Sequence, residues 1–350
     1  MLKKIFRKLA WHLRIFSSYL RIRYLSICRS KRIFLLGTPW YGNIGDQAIA
    51  LGELEILRRI FPAYAIIDVP YMVFYSAWSR CLGLGIERSD KIFLQGGGNL
   101  GSLYPQEERL RRDVIRRYQK NQIVIMPVSI FFHDNAFGRS ELAISSEIYS
   151  QAENLTVIAR DETSWDFAKK HFAHANNILA PDAATVLDGI AALPREARKG
   201  ITFFLRSDKE KVVAQEIVQE LQARLRQRGM AFQIADTTVR HDVYTEQRQS
   251  AVMEKLALAA SSRLVITDRF HGVVFSVITH TPVIAFKSFD TKISSGIKWF
   301  SNLPWVYYVE GKSLDELEAI IAKWEDSEED VFPYSKCGEK IIAAVRRIVL

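Results

Sequence analysis

The chain has 350 residues, 48% hydrophobic and 25% charged, the balance of one large or two medium globular domains. Its net charge of +9 is local: residues 1–32 hold ten Lys or Arg and no acid, and the remainder is close to neutral, so the fold carries no basic stripe of the kind nucleic-acid binding needs. Three scattered cysteines (Cys28, Cys81, Cys337) exclude a disulfide framework and a cysteine metal site and point to a reducing compartment.

In residues 1–32, Ile5, Leu9, Leu13, Phe16 and Leu20 recur every three or four positions among Lys3, Lys4, Arg7, Lys8 and Arg14. The segment lacks the uninterrupted apolar core and cleavage site of a signal peptide, and no run in the chain is long enough to span a bilayer. The pattern predicts a basic amphipathic helix, either lying on an anionic membrane surface or packing on the body with a solvated basic face. Arg32–Gly37 reads as a strand. It enters a glycine-rich loop, Thr38-Pro-Trp-Tyr-Gly-Asn-Ile-Gly-Asp46, and then a helix with Leu51, Leu54, Leu57 and Ile60 on one face. The loop lacks the Lys-Ser/Thr of a P-loop and is a poor dinucleotide fingerprint. Asn43 or Asp46 can cap the helix.

Ile66–Pro70 and Lys91–Gln95 are the next strands, and the latter runs into Gly96, Gly97, Gly98 and Asn99. Three glycines are conformationally costly and suggest close approach to backbone. Glu107–Lys120 predicts a charged surface helix. Gln122–Met126 predicts a strand stopped by Pro127, with His133 in the loop beyond. Leu155–Arg160 is a strand with Arg160 at its end, and Asp161 to Ser164 opens a helix with capping chemistry. Ala192–Gly200 reads as a linker. A second alternation of strand and helix follows: Ile201–Leu205 ending in Arg206, and Ala231–Ala235 ending in Asp236. Next come Leu264–Ile266 with Thr267-Asp-Arg-Phe-His-Gly272 at its end, and Val283–Phe286. Throughout, strands are short apolar runs with Gly, Arg or His at their C-terminal ends. This predicts an α/β protein with two doubly wound, Rossmann-like domains facing across a cleft, GT-B-like. The expected division is an arm at 1–32, an acceptor-side domain at 33–192 and a donor-side domain at 193–350, with the final helix returning to the first domain.

Several of these stretches, in order, resemble the blocks of the polysaccharide pyruvyl transferases: Asn43-Ile-Gly-Asp46, Gln95-Gly-Gly-Gly-Asn99, Arg160-Asp-Glu-Thr-Ser164, Pro181-Asp182, Arg269-Phe-His-Gly272, and Pro282 followed by Lys292-Ile293. The resemblance covers about residues 33–300 and leaves the arm outside. It implies transfer of a pyruvyl group from phosphoenolpyruvate to sugar hydroxyls, commonly as a cyclic ketal, on a surface polysaccharide or its lipid-linked precursor. On that implication, Arg269, with Phe270 at the helix start, holds the anionic donor. Arg160, Arg206 and Lys292 are further anion contacts, and His271 is the general acid. Asn43, Gly45, Gly96, Gly97, Gly98 and Asn99 line the acceptor side, and Asp46 is either a helix cap or the general base. No metal-ligand cluster is apparent, so no cofactor beyond the donor substrate is expected. The expected location is cytoplasmic, peripheral on the inner face of the membrane. Rival readings are a sugar-nucleotide glycosyltransferase of the same architecture and a non-catalytic glycan-binding or partner-binding relative.

Overall fold

The structure, a computed structural model, describes residues 2–188, 198–206, 215–287, 292–311, 313–325 and 335–349. Seven strands form one sheet: β1 (Arg32–Thr38), β2 (Ala65–Pro70), β3 (Lys91–Leu94), β4 (Gly97–Gly101), β5 (Gln122–Phe131), β6 (Asn154–Ala159) and β7 (Asn176–Leu179). Their order is β2-β1-β3-β5-β6-β7, with β4 also paired to β5. Five more, β8 (Ile201–Phe204), β9 (Phe232–Ala235), β10 (Leu264–Thr267), β11 (Val283–Phe286) and β12 (Val306–Val309), form a second sheet ordered β12-β11-β10-β8-β9. Every pairing within both sheets is parallel. The apolar runs of β1, β3, β8, β10 and β11 are almost wholly buried, because helices cover both faces of each sheet. This is the two-domain, Rossmann-like, GT-B-like architecture.

The domains meet through their strand ends. The loop after β1 pairs with the segment after β9: Ile44 N–H donates to Thr237 O (2.8 Å), Val239 N–H to Gly42 O (2.7 Å) and Val243 N–H to Trp40 O (2.9 Å). Helix Ile44–Ile60 packs on helix Arg248–Ala260, and one apolar core runs unbroken from the face of the first sheet that helix Ile44–Ile60 covers into the second domain. The final helix, Cys337–Val349, packs on the turn Ala183–Leu187, and Gln122 Nε2 donates to Ile348 O (3.2 Å). Residues 192–197, most of the expected linker, lie outside the described residues.

Two expectations need correction and one is extended. Pro127 does not end its strand: β5 continues to Phe131, because the missing N–H falls where the β5–β6 register shifts between Ile125 and Val128. The glycine run makes the close backbone approach its composition suggests, and it also forms a strand not read from the sequence: Gly97 to Gly101 pair as β4 with the extended end of β5. Gly96 lies so close to β5 that a Cβ there would stand 2.2 Å from Pro127 O. The helix at Pro105–Arg117 is not a surface helix throughout. Glu108, Arg111 and Arg112 are buried, and Glu108 accepts from Ser145 Oγ (2.6 Å) and Tyr149 Oη (2.9 Å). Those two hydrogen bonds on one carboxylate oxygen, with Arg111 3.7 Å and Arg112 3.7 Å away, offset part of the cost of that burial. Strand β12 and helix Ala136–Tyr149 are absent from the sequence reading. In β12 three of four residues are half-buried, so no alternation signals it.

The N-terminal segment is a single helix, Leu2–Cys28. It buries Ile15, Tyr19 and Ile22 on the first domain, where Tyr19 Oη donates to Gly83 O (3.1 Å). Arg14 reaches the second domain, 3.8 Å above the Tyr244 ring and 3.6 Å from Glu246. Leu9, Leu13, Leu20, Tyr24 and Ile27 remain exposed, a second apolar stripe with helical spacing.

Candidate active site

In open parallel sheets, ligands bind beyond strand C-termini where the strand order reverses. The first sheet reverses between β1 and β3, and the second between β8 and β10. The loop after β1, the glycines after β3, Arg206 after β8 and the Thr267–Gly272 stretch after β10 all stand at these two points.

On the second-domain side, Arg269 is the N-cap of helix Phe270–Ile278. Gly272 follows because a Cβ there would lie 2.1 Å from Thr267 Oγ1, so the helix can start flush against its strand only on glycine. The Arg269 guanidinium is bound by Asp236 at the end of β9, Nε to Oδ1 at 2.7 Å and Nη2 to Oδ2 at 3.0 Å. Asp268 turns inward and accepts the Arg206 N–H (2.8 Å). Burial pushes its carboxyl above the usual range, opposed by the Arg206 N–H and by the charges of Arg269 and Arg206. Arg206 itself is half-buried at the cleft. Lys292 opens the short helix Lys292–Gly296, but its side chain lies outside what the structure describes.

On the first-domain side, Asn43 caps helix Ile44–Ile60 by accepting the Gly45 N–H (3.0 Å). Asp46 is therefore not the cap. It lies in the first turn, its Oδ1 3.7 Å from where a Cβ on Gly97 would stand, and Gln95 Nε2 donates to its carbonyl (3.1 Å). Gly97 has φ +114, a conformation natural only to glycine. Arg111 holds the turn from below, donating to Gln95 O (3.2 Å), Asn99 O (3.2 Å) and Asn99 Oδ1. Gly96 N–H donates to Glu53 Oε1 (2.9 Å). Glu53 is fully buried, and that burial raises its carboxyl well above the usual range against the opposing Gly96 N–H.

Within the site, the two sides meet at His271. A Cβ on Gly45 would stand 2.2 Å from Nδ1 and 2.4 Å from Cγ of His271. The His271 ring thus lies on the Gly45 backbone, one residue from Asp46. Its Nε2 is 3.8 Å from Asp182 Oδ2. Asp182 is in turn held by Arg160 Nη1 (2.7 Å), and Arg160 Nε donates to Ser129 Oγ (2.8 Å). Arg160 is 3% exposed, with its guanidinium 4.8 Å from the Phe270 ring centre. Its geometry is that of a buried anchor for Asp182. The site therefore brings together Asn43, Gly45, Asp46, the Gly96–Asn99 segment, Arg160, Arg269, Phe270 and His271. Asp182 and Asp236 carry no role in the sequence reading. Their only signals there are positional, Asp182 in its Pro-Asp block and Asp236 at a strand end. His133 stands apart, with Nδ1 2.8 Å from Ser102 Oγ.

Fold and site define a two-domain α/β protein whose interdomain cleft is lined with arginine, histidine and glycine. The profile of the polysaccharide pyruvyl transferase family matches residues 43–288, a span that includes the blocks from Asn43 to Pro282 on both sides of the cleft. The chain belongs to that family. General stress protein 30 of Bacillus subtilis is 34% identical over 89% of this chain and 90% of its own. Pyruvyl transferase 1 of Schizosaccharomyces pombe is 26% identical over 74% of this chain and 66% of its own. In fold, the chain is similar to a functionally uncharacterised protein of Klebsiella pneumoniae, with a TM-score of 0.57 at 18% identity over 87% of this chain and 98% of that one.

Proposed function

We propose that the protein transfers a pyruvyl group from phosphoenolpyruvate to hydroxyls of a bacterial surface polysaccharide or its lipid-linked precursor, forming a ketal. The observation that carries this reading is the seating of His271 on Gly45, which joins the Arg269–Gly272 block to the first family block across the domain boundary. Arg269 and the N–H groups opening helix Phe270–Ile278 meet the anionic donor, with Arg206 and Lys292 as further anion contacts. Asp236 sets the Arg269 fork, and Arg160 acts through Asp182, which orients His271. His271 delivers a proton to the donor's methylene carbon while an acceptor oxygen bonds to C2, and that hydroxyl's proton passes to the carboxylate side of the cleft, where Asp46 stands. The C2–O bond to phosphate then breaks, with its electron pair leaving on phosphate. The second hydroxyl bonds to C2 and its proton restores His271, while the first hydroxyl's proton leaves with the phosphate. Donor binding is assigned to arginines and backbone, and the reading includes no metal or other cofactor.

The test is direct. Phosphoenolpyruvate should raise the melting temperature, as a ligand of the folded state does, and UDP or GDP should not. Incubation with lipid-linked oligosaccharide should add a pyruvyl ketal, read by mass spectrometry. Stabilisation by UDP without product from phosphoenolpyruvate would instead support the glycosyltransferase reading.

The N-terminal helix extends this reading to location: the cytoplasmic face of an anionic membrane, where a lipid-linked acceptor lies. Its exposed stripe of Leu9, Leu13 and Leu20 supplies insertion, and its basic residues supply attraction. Because Ile15, Tyr19 and Ile22 are part of the core, deleting the helix would damage the body. The triple variant Leu9→Asp, Leu13→Asp, Leu20→Asp is the cleaner probe. It should keep its melting temperature and lose co-sedimentation with phosphatidylserine vesicles; undiminished sedimentation would refute membrane contact.

A further inference from the structure

The N-terminal helix encloses a cavity of about 310 Å³ against both domains, and the candidate active site uses none of its lining. Helix Leu2–Cys28 forms one wall, helix Ile44–Ile60 and the end of β2 form a second, and the start of helix Arg248–Ala260 closes it. Three arginines from three elements line it: Arg21, Arg58 and Arg248. Arg248 is 2% exposed, and it donates through Nε to Gln47 Oε1 (2.9 Å) and through Nη1 to Asp68 Oδ2 (2.6 Å). Its Nη2 is buried with no hydrogen-bond partner among the described residues. A buried donor of a charged group left without an acceptor is costly, and a ligand oxygen would satisfy it. Helix Arg248–Ala260 has no side-chain cap and no acid in its first turn, so its positive end meets no protein anion there. The two acids in the lining are already paired. Asp68 is held by Arg248 and by the Thr38 hydroxyl (2.6 Å), and Glu246 lies 3.6 Å from Arg14. Arg21 and Arg58 are exposed and form no ion pair among the described residues. Leu25, Leu51, Leu54 and Ile66 make up an apolar part of the wall.

We infer that this cavity binds a phosphate group carried on a hydrocarbon chain, the chemistry of an acidic phospholipid. Arg21, Arg58 and Arg248 meet the phosphate, and Leu25, Leu51 and Leu54 shelter the first methylenes of the chain. Guanidinium forks match phosphate oxygens, a helix start without a cap adds to the attraction, and covering methylenes with leucine removes apolar surface from water. An inorganic anion would leave the apolar wall unused. A lipid without net charge would leave the unpaired Arg21 and Arg58 unneutralised. The inference rests on the membrane reading of helix Leu2–Cys28 only for the source of the lipid, and it is independent of the transfer reaction. Because the three cations come from the N-terminal helix, the first domain and the second, a bound phosphate would hold all three together and stabilise the fold.

The test is calorimetric titration of the full chain with dioctanoyl phosphatidic acid below its critical micelle concentration, with dioctanoyl phosphatidylcholine and inorganic phosphate as separate arms. The wild type should bind phosphatidic acid saturably, and bind the other two at least about 10-fold more weakly. The double variant Arg21→Ala, Arg58→Ala changes only exposed side chains, so it should keep its melting temperature. It should bind phosphatidic acid about 10-fold or more weakly, having lost two charge-assisted contacts. The variant Leu9→Asp, Leu13→Asp, Leu20→Asp should bind the soluble lipid as the wild type does, which separates the cavity from the exposed stripe. No saturable binding by the wild type, or equal binding by the double variant, overturns the inference. Equal affinity for inorganic phosphate overturns the lipid assignment. Each of these results leaves the membrane and transfer readings standing, whereas a wild type that binds phosphatidic acid and does not sediment with vesicles refutes membrane contact and keeps the cavity.

Discussion

Replacing Gly45 with alanine tests the contact on which the proposed site turns. The added Cβ would lie 2.2 Å from Nδ1, 2.4 Å from Cγ and 2.9 Å from Cβ of His271. Favourable heavy-atom contact begins at roughly 3.5 Å, so ring and loop must separate by more than about 1 Å. Swinging the imidazole about χ1 does not suffice, because its own Cβ is among the clashing atoms. The helix start carrying Arg269 and His271 must therefore retreat from the loop after β1. Overpacking of this kind costs about 1–3 kcal/mol, and a misplacement of about 1 Å in a reacting group costs ~10²-fold in rate. The assay is pyruvylated product by mass spectrometry, alongside denaturant unfolding. A double-mutant cycle with His271→Ala isolates the clash: Gly45→Ala should destabilise the alanine background less than the wild type. A folded Gly45→Ala enzyme with the wild-type rate, or equal destabilisation in both backgrounds, would refute the packing.

Asp182→Ala should destabilise the protein by about 3–5 kcal/mol, because it strands the buried Arg160 guanidinium; chemical denaturation measures it, and a change under about 1 kcal/mol would mean that the Arg160–Asp182 pair is solvated. Glu53 gives a pH signature. Its carboxyl is raised well above 4.5 in the folded state, chiefly by burial, so folding takes up a proton. This group's contribution is full below its unfolded value and is lost as pH rises towards the folded one. Glu53→Gln should therefore show a smaller loss of stability than wild type between pH 5 and pH 8, measured by urea unfolding at each pH; identical slopes would show that Glu53 is ionised in the fold. Asp236→Asn should weaken stabilisation by phosphoenolpyruvate, because the Arg269 fork loses the carboxylate that sets it; an unchanged thermal shift counts against that role.

What the sequence by itself determined is local and chemical. Apolar runs such as Leu264–Ile266 and Val283–Phe286, short and closed by Gly, Pro or charged residues, fitted buried parallel strands. A strand end bearing Arg269, His271 and Gly272 was a candidate anion site, and the order of blocks from Asn43 to Lys292 carried the family. The acid-free stretch at 1–32 marked a helix apart from the catalytic blocks. Tertiary structure decided what each charge is for. Arg160 and Arg269 look alike in sequence, each an arginine at a strand end. Folding covers Arg160 with Phe270 and ties it to Asp182, whereas it sets Arg269 against Asp236 at the end of β9. The run from Glu107 to Arg117 reads as one solvated charged face. Packing against helix Ala136–Tyr149 buries Glu108 and Arg112, binds Arg111 under the glycine segment, and leaves Glu107 half-buried. Charge partners that are tens to hundreds of residues apart in the chain leave no periodic signal, so only the packed domains reveal which carboxylate is a brace and which faces the cleft.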